Sequence, residues 1–544
     1  MPPPRPIKTL YSLCIDDVLK VIHMYVVNHQ KNFVPLRKYL IGLLHGGIRE
    51  HLIDRAVTNY SSKVFDLLDI LELLADSTTK KLQLKKNGEF LTGFQSAQLY
   101  SRIEGSNIIG LHELHVKVQI EHSLPSQVES LPSNHLHSAL RRGLASNLRI
   151  LTLHNAADNQ SLKIIGQYAE HLTNLDITSS WLVDDFGIGE LLLKNAVNVI
   201  NAHLVELESC EPNAIEAMAV LPKSRLNKTC ETLQEVKIQD TNTTSVSVML
   251  LLMFCSNLKS HGGFLYYRNI GDAVLSVQNR ESAPAHLQLT ELWDTQLPPD
   301  KLAKICKFLP KLNSLYTRAS WLPQTPGILP PLTNLTADFD FGFYAPVLFP
   351  YLHHSGHSLR RLILIDQVYS IDISQIAALC PNLEELTAKL SIHEERENSA
   401  ELKNLRCAKV RITTPSTFTW IMKHSPNILQ LEVILLERDD TFDMFENDVI
   451  LDVIEENPKS LQSIKHLSIH MFHNSGHHGY VISLGTLTIE AAYALCDACD
   501  NIRLIGELNT WFKVSMEEVL QMAEYIKEHN WDLKISYKDV LYPT

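Results

Sequence analysis

The sequence predicts an α/β fold: a horseshoe-like solenoid of strand–helix repeats preceded by a small all-α module. Three observations predict it. From residue 80 onward one short apolar phrase keeps returning, helical patterns fill the stretches between its copies, and residues 1–76 read instead as consecutive helices.

The phrase is an apolar residue, two variable ones, an apolar one, a variable one and a last apolar one. It appears as LRILTL (Leu148, Leu151, Leu153), LTNLDI (Leu172, Leu175, Ile177), LQEVKI (Leu233, Val236, Ile238), LRRLIL (Leu359, Leu362, Leu364) and ILQLEV (Ile428, Leu431, Val433). LHELHV at Leu111 and IKHLSI at Ile464 follow it too. Counted at Leu312, Leu335, Leu359, Leu383, Leu405 and Ile428, the copies stand 23, 24, 24, 22 and 23 residues apart. That period falls within the roughly 20–29 residues of leucine-rich repeats. Alternate side chains of a short strand point inward and stack on the equivalent side chains of neighbouring repeats, so many short phrases share one core.

Between phrases, SIDISQIAALC (370–380) and PSTFTWIMKHS (415–425) have helical spacing and would form the convex side. CPNLEEL (380–386) ends a helix on cysteine and opens a strand with Asn-Leu, and resembles the cysteine-type repeats of substrate-receptor proteins. The Asn or Cys that usually closes the strand turn is mostly missing. Around 178–230 and beyond 433 the spacing stretches to roughly 29–38, which implies inserted loops; about a dozen to fifteen repeats fit residues 77–544.

Composition excludes several functions. Forty-nine basic and 61 acidic residues give a net charge of -12, the wrong sign for nucleic acid or an anionic membrane surface. No stretch reaches the roughly 18 uncharged apolar residues of a membrane span, and MPPPRPIKTL lacks the apolar core of a signal peptide. Nine scattered cysteines read as reduced core thiols, which places the chain in the cytosol or nucleus and leaves Asn-x-Ser/Thr matches such as Asn227-Lys-Thr without weight.

No phosphate loop, nucleophile elbow or His-Glu-x-x-His is present, so no enzyme activity and no cofactor are expected. Asp184-Asp185 and Asp439-Asp440 read as solvated loop residues. His470, His473, His477 and His478, followed by Cys496 and Cys499, are the residue types of a zinc site. Cys496 and Cys499, spaced i and i+3, instead suit the core face of a repeat helix, and the histidines suit an inserted loop.

The opening module reads helix by helix. Leu10, Leu13, Cys14, Val18, Val21, Ile22 and Tyr25 recur at helical spacing, with Thr9 as N-cap and Asp16 and Asp17 on the polar side. A second helix starts at Val34-Pro35, since proline suits a first turn, and carries Leu36, Tyr39, Leu40, Leu43 and Leu44 on one face. Gly46-Gly47 should end it. A third helix over about 48–58 and a fourth over 61–76 with a serine cap complete the module. Part of this is the cap that the first open repeat needs, yet a cap does not require the separate helices at its start.

TLYSLCIDDV (9–18) resembles the elongin-binding box of cullin-ligase substrate receptors: a small residue, Leu, three variable residues, Cys, three variable residues and an aliphatic. VPLRKYLIGL (34–43) is similar to their cullin-2 box. Together, in this order, they look like a VHL box, and a VHL box before leucine-rich repeats resembles the Zyg-eleven and Zer-one receptors. The resemblance does not extend to those receptors' C-terminal armadillo repeats, because the chain closes on another helix–strand pattern, EEVLQMAEYIKEHNWDLKIS.

The resemblance implies a non-catalytic ligase subunit. Leu10 and Cys14, supported by Val18, would enter a pocket on elongin C, itself bound to elongin B. Val34, Pro35, Leu36, Tyr39 and Leu43 would select cullin-2 with its RING protein, whereas Arg37 does not fit the cullin-5 version. The solenoid would hold a protein substrate that the sequence does not identify. Two other readings stand beside it: an F-box-like receptor using residues 34–54 to dock on Skp, and a plain repeat scaffold whose first helices are only a cap.

Overall fold

The structure is a computed structural model that describes residues 1–28, 33–84, 90–106, 108–119, 131–196, 218, 221–262, 270–280, 285–323, 325, 327–340, 342, 345–392, 400–435, 445–456, 458–471, 487–511, 514–537 and 540–542. Contacts divide the chain into two compact units, Lys8–Lys311 and Met1–Ile7 with Leu312–Thr544. Both mix helices with parallel strands.

Four helices open the first unit: α1 (Leu10–Asn28), α2 (Val34–Leu43), α3 (Gly46–Tyr60) and α4 (Val64–Leu74). Thr9 caps α1 as expected, its hydroxyl accepting from the Ser12 N–H at 3.1 Å. Pro35 occupies the first turn of α2. Two expectations fail. Gly46 and Gly47 open the third helix rather than end the second, with the His45 ring accepting from the Gly47 N–H at 3.2 Å. A Cβ on Gly46 would meet the Thr78 hydroxyl at 3.0 Å, so close approach explains that glycine better than a helix end does. The fourth helix follows Lys63 with no side-chain cap, because Ser61 still has helical backbone angles at the end of α3. Leu67, Leu68, Ile70, Leu71, Leu73 and Leu74 of α4 are buried, and α4 packs against α1, α2 and α3.

Strands β1 (Lys81–Gln83), β2 (Glu113–Lys117), β3 (Ile150–His154), β4 (Asn174–Asp176) and β5 (Glu235–Lys237) pair in parallel and in chain order, and β6 (Glu291–Trp293) follows in the same unit. The register aligns Leu82, Leu114, Leu151, Leu175 and Val236, each no more than 1% exposed. The central apolar residue of each phrase thus forms one continuous row.

The second unit repeats this arrangement with β7 (Ser314–Arg318), β8 (Asn334–Asp338), β9 (Arg361–Ile365), β10 (Ile371–Asp372), β11 (Glu385–Ser391), β12 (Cys407–Ile412), β13 (Gln430–Leu435), β14 (His466–Met471), β15 (Leu504–Gly506), β16 (Lys534–Tyr537) and β17 (Val540–Tyr542). Among the described residues these strands pair in parallel, and β16 with β17 is antiparallel. Its row runs Leu315, Leu335, Leu362, Leu386, Ala408, Leu431, Leu467, Ile505, Ile535. That register corrects the spacing read from sequence. Leu335 is the central residue of its phrase and Leu332 the first, so the intervals around it are 20 and 27 rather than 23 and 24. The expected helices form at Ile373–Leu379, after the short β10, and at Pro415–His424.

Two devices hold successive phrases in register. The strand turn lacks its usual Asn or Cys, yet Asn155, Ser179, Asp240 and Asp366 stand at one phrase position with φ of 51, 62, 51 and 51°. Short polar residues tolerate this left-handed conformation because their side chains bond locally. The second device is an asparagine ladder. The residue just before a phrase donates to the carbonyl two residues before the preceding phrase: Asn382 to His357 at 2.8 Å, Asn404 to Pro381 at 3.3 Å, Asn427 to Lys403 at 2.8 Å and Asn501 to Gln462 at 2.6 Å. Asn147 and Asn257 do the same in the first unit, bonding to Ile109 and Glu231. Asn427→Ala should cost about 1 kcal/mol in urea unfolding, and an unchanged midpoint would remove the ladder from the fold's stability.

Buried carboxylates tie neighbouring repeats. Asp184-Asp185 is not the solvated pair expected: Asp184 caps the helix Asp185–Leu192, and Asp185 is 5% exposed. Asp185 accepts from the Thr244 N–H and hydroxyl and the Ser247 N–H and hydroxyl, at 2.8, 2.6, 3.1 and 2.5 Å. Asp439-Asp440 lies outside the described residues. Asp294 accepts from the Gly271 and Gln296 N–H groups, each at 2.7 Å, and burial pushes its carboxyl up to about 6.

A carboxyl raised in this way stabilises the fold fully below its unfolded value near pH 4 and loses that contribution as pH rises through about 6. Asp294→Asn removes the titration. The stability of wild type minus variant should therefore fall by on the order of 2 kcal/mol between about pH 4.5 and 7.5. A constant difference would contradict the burial argument.

Candidate functional site

Helix α1 is apolar on two faces. Ile15, Leu19, Ile22 and Val26 are buried, and the helix packs on α3 and α4. Along the other side, Leu10, Leu13, Cys14, Val18, Val21, Met24 and Val27 recur every three or four residues and are exposed, Leu10 to 78% and Val21 to 62%. A surface helix normally buries its one apolar stripe and turns polar residues outward, and each large apolar side chain left in water forgoes about 1.5–3 kcal/mol. The outer stripe is therefore an apolar surface that the rest of the unit leaves uncovered.

Polar clasps fix which stripe faces out. Arg55 pairs with Asp16 at 2.9 Å and donates to the Ser12 hydroxyl at 2.6 Å, while Lys8 reaches Asp16 at 2.8 Å. The Lys8 hydrogen bond, with help from the Arg55 charge, holds the Asp16 carboxyl below its ordinary value despite burial. Tyr11 and His51 join at 2.7 Å, and His23 pairs with Asp66 at 3.0 Å while stacking on Tyr60. Asp16 thus turns toward α3 instead of sharing an open polar face with Asp17. Rolling α1 to hide its outer stripe would break each of these contacts.

Helix α2 has the same division. Val34, Tyr39 and Leu43 are 72%, 63% and 63% exposed, Pro35 is exposed, Leu36 is half-buried and Leu40 is buried. Two arginines hold it down. Arg37 donates to the Glu72 and Ala75 carbonyls at the end of α4, at 2.7 and 2.8 Å, where the helix dipole favours a cation, and to Ser106 at 3.2 Å. Arg49 is 4% exposed; it donates to the Ile41 and Leu44 carbonyls at the end of α2, at 3.0 and 2.8 Å, and to Asp76 and Thr78 at 2.7 and 2.9 Å.

Of the eight residues singled out in sequence, Leu10, Cys14, Val18, Val34, Pro35, Tyr39 and Leu43 lie exposed on α1 and α2, and Leu36 lies half-buried. Tyr11, Met24 and Val27 were missed. Met24 stands fourteen residues after Leu10, which is four helical turns, so its place on the outer stripe was readable.

Of the tempting metal residues, the described ones, His470, Cys496 and Cys499, form no ligand group. Cys496, on the helix Ile489–Ala498, and Cys499 just beyond it are buried in the core, and burial pushes both thiols up to about 12. His470 sits on β14, 3.7 Å from Glu432 and 3.9 Å from Glu507. His473, His477 and His478 lie outside the described residues. Among the described residues no three metal-capable side chains gather, and no helix is long and apolar enough to cross a membrane.

No protein-family profile matches the chain, and no curated protein matches it. Among solved structures, the complex of Rad7 and Elc1 in yeast aligns over 95% of this chain and 91% of its own, at 14% identity and a TM-score of 0.34. The complex of TLR13 with ssRNA13 aligns over 88% and 76%, at 12% identity and a TM-score of 0.27. Likeness at these scores fixes neither fold nor partner for this chain.

Proposed function

We propose that the chain is a non-enzymatic substrate-recognition subunit of a cullin-RING ubiquitin ligase, working in the cytosol or nucleus. Helix α1 docks on elongin C with its elongin B, α2 selects cullin-2, and the strand–helix units form a leucine-rich-repeat solenoid that presents a protein substrate. One observation carries this reading: the outer stripe of α1 is apolar and exposed, and it contains Leu10, Cys14 and Val18, the positions that match the elongin-binding box. A helix serving only as a cap would not need that second stripe.

Co-purification tests it. Leu10→Ala with Cys14→Ala should abolish capture of elongin C while the melting temperature stays within a degree or two, since neither side chain supports the core. Val34→Ala with Pro35→Ala should weaken cullin-2 recruitment and leave elongin C bound. Wild-type capture of elongin C by the first variant sinks the proposal, and recovery of Skp in place of elongin C would replace it with the F-box-like reading.

A further inference from the structure

We propose that the outward face of β11 and β12 binds a phosphoserine- or phosphothreonine-bearing segment of a partner protein through Lys389, Arg411 and Lys409. This goes beyond the docking reading and does not depend on it.

The register sets Lys389 directly opposite Arg411 on the neighbouring strand. Like charges placed opposite each other destabilise a sheet, so the pair has no structural benefit to explain it. Lys409 lies two residues before Arg411 and shares its face. Of the three, Lys409 has a carboxylate, Glu432 at 2.7 Å, which His470 also approaches. Among the described residues neither Lys389 nor Arg411 forms an ion pair. The Lys389 ammonium gives one hydrogen bond to the Val368 carbonyl at 2.5 Å, leaving two donors. Burial, and then the Arg411 charge, lower its proton affinity.

This excess of positive charge stands on a chain of net charge -12. Two uncompensated cations on neighbouring strands, whose backbones lie about 4.8 Å apart, match one phosphoryl group, which carries about -1.5 to -2. Arg411 adds the planar fork that grips its oxygens. Beside them runs a groove of about 280 Å³ lined by Thr387, Lys409 and Gln430 and by two carboxylates, Glu385 and Glu432, which pair with Arg361 and Lys409 and so leave the charge of Lys389 and Arg411 uncancelled. A row of carboxylates would spread its charge along a peptide, whereas this site focuses charge on one point.

The test uses the full chain, immobilised without elongin or cullin, so its outcome is separate from that of the docking experiment. Three labelled peptide libraries with random flanks carry a central phosphoserine, serine or Glu-Glu. The phosphoserine library should be retained, the serine library not, and the Glu-Glu library about tenfold less. Lys389→Gln with Arg411→Gln should lower retention at least about tenfold, since two charge-assisted bonds are lost, while Lys534→Gln leaves it unchanged. If the double variant melts early, Lys389→Arg with Arg411→Lys, which keeps both charges, must still retain the phosphoserine library; failure there overturns the proposal. Equal retention of all three libraries overturns it. So does retention of none.

Discussion

Arg49→Met should lower the unfolding free energy by about 3–5 kcal/mol, because it removes one partner of a buried ion pair and leaves the other uncompensated. Methionine keeps the apolar stem, so packing changes little. What goes is the guanidinium that joins the end of α2 to Asp76 and Thr78. Burial pushes the Asp76 carboxyl up, and the bonds from Thr78 and Arg49 outweigh it, holding it below its ordinary value. Without Arg49 that balance tips, and the Ile41 and Leu44 carbonyls lose their partner. Urea unfolding measures the loss, and hydrogen exchange should show the last turn of α2 opening first. A loss under about 1 kcal/mol would mean that water replaces the guanidinium freely.

Leu19→Ala and Leu10→Ala should differ sharply although the two leucines share a helix. Leu19 is fully buried, and its truncation should cost about 2–5 kcal/mol. Leu10 is 78% exposed, and its truncation should stay within about 0.5 kcal/mol. Thermal melts of the two single variants decide whether α1 keeps its outer stripe free in solution. Equal losses would mean that the stripe is buried in the isolated chain.

The phrase, its period and most helix spans were legible because alternation and 3.6-residue spacing are local properties of the chain. The misreadings arise where contacts distant in sequence decide between locally equivalent choices. At LTNLTA two leucines three apart both fit the first phrase position, and only pairing with β7 and β9 shows that Leu335 is the central one. Gly46-Gly47 fits a helix end as well as a helix start, and the nearby Thr78 decides between them. Asp185 looked like a loop acid because its four donors come from residues some sixty positions away. For α1 the limit was deeper. Apolar residues on both faces satisfy the same periodicity, so spacing alone could not say which stripe was inside; the clasps through Arg55 and His51 do.

If α1 docks on a partner as proposed, its outer stripe also makes the supply of this chain depend on stoichiometry. Molecules produced in excess of a partner keep seven apolar side chains in water, and two copies can lower that cost by meeting stripe to stripe. The orphaned fraction then self-associates or enters quality control as its concentration rises, while the partnered fraction does not. On the docking reading, the abundance of such a chain would be tethered to that of whatever covers α1, and producing more of it alone would yield aggregate rather than assembly.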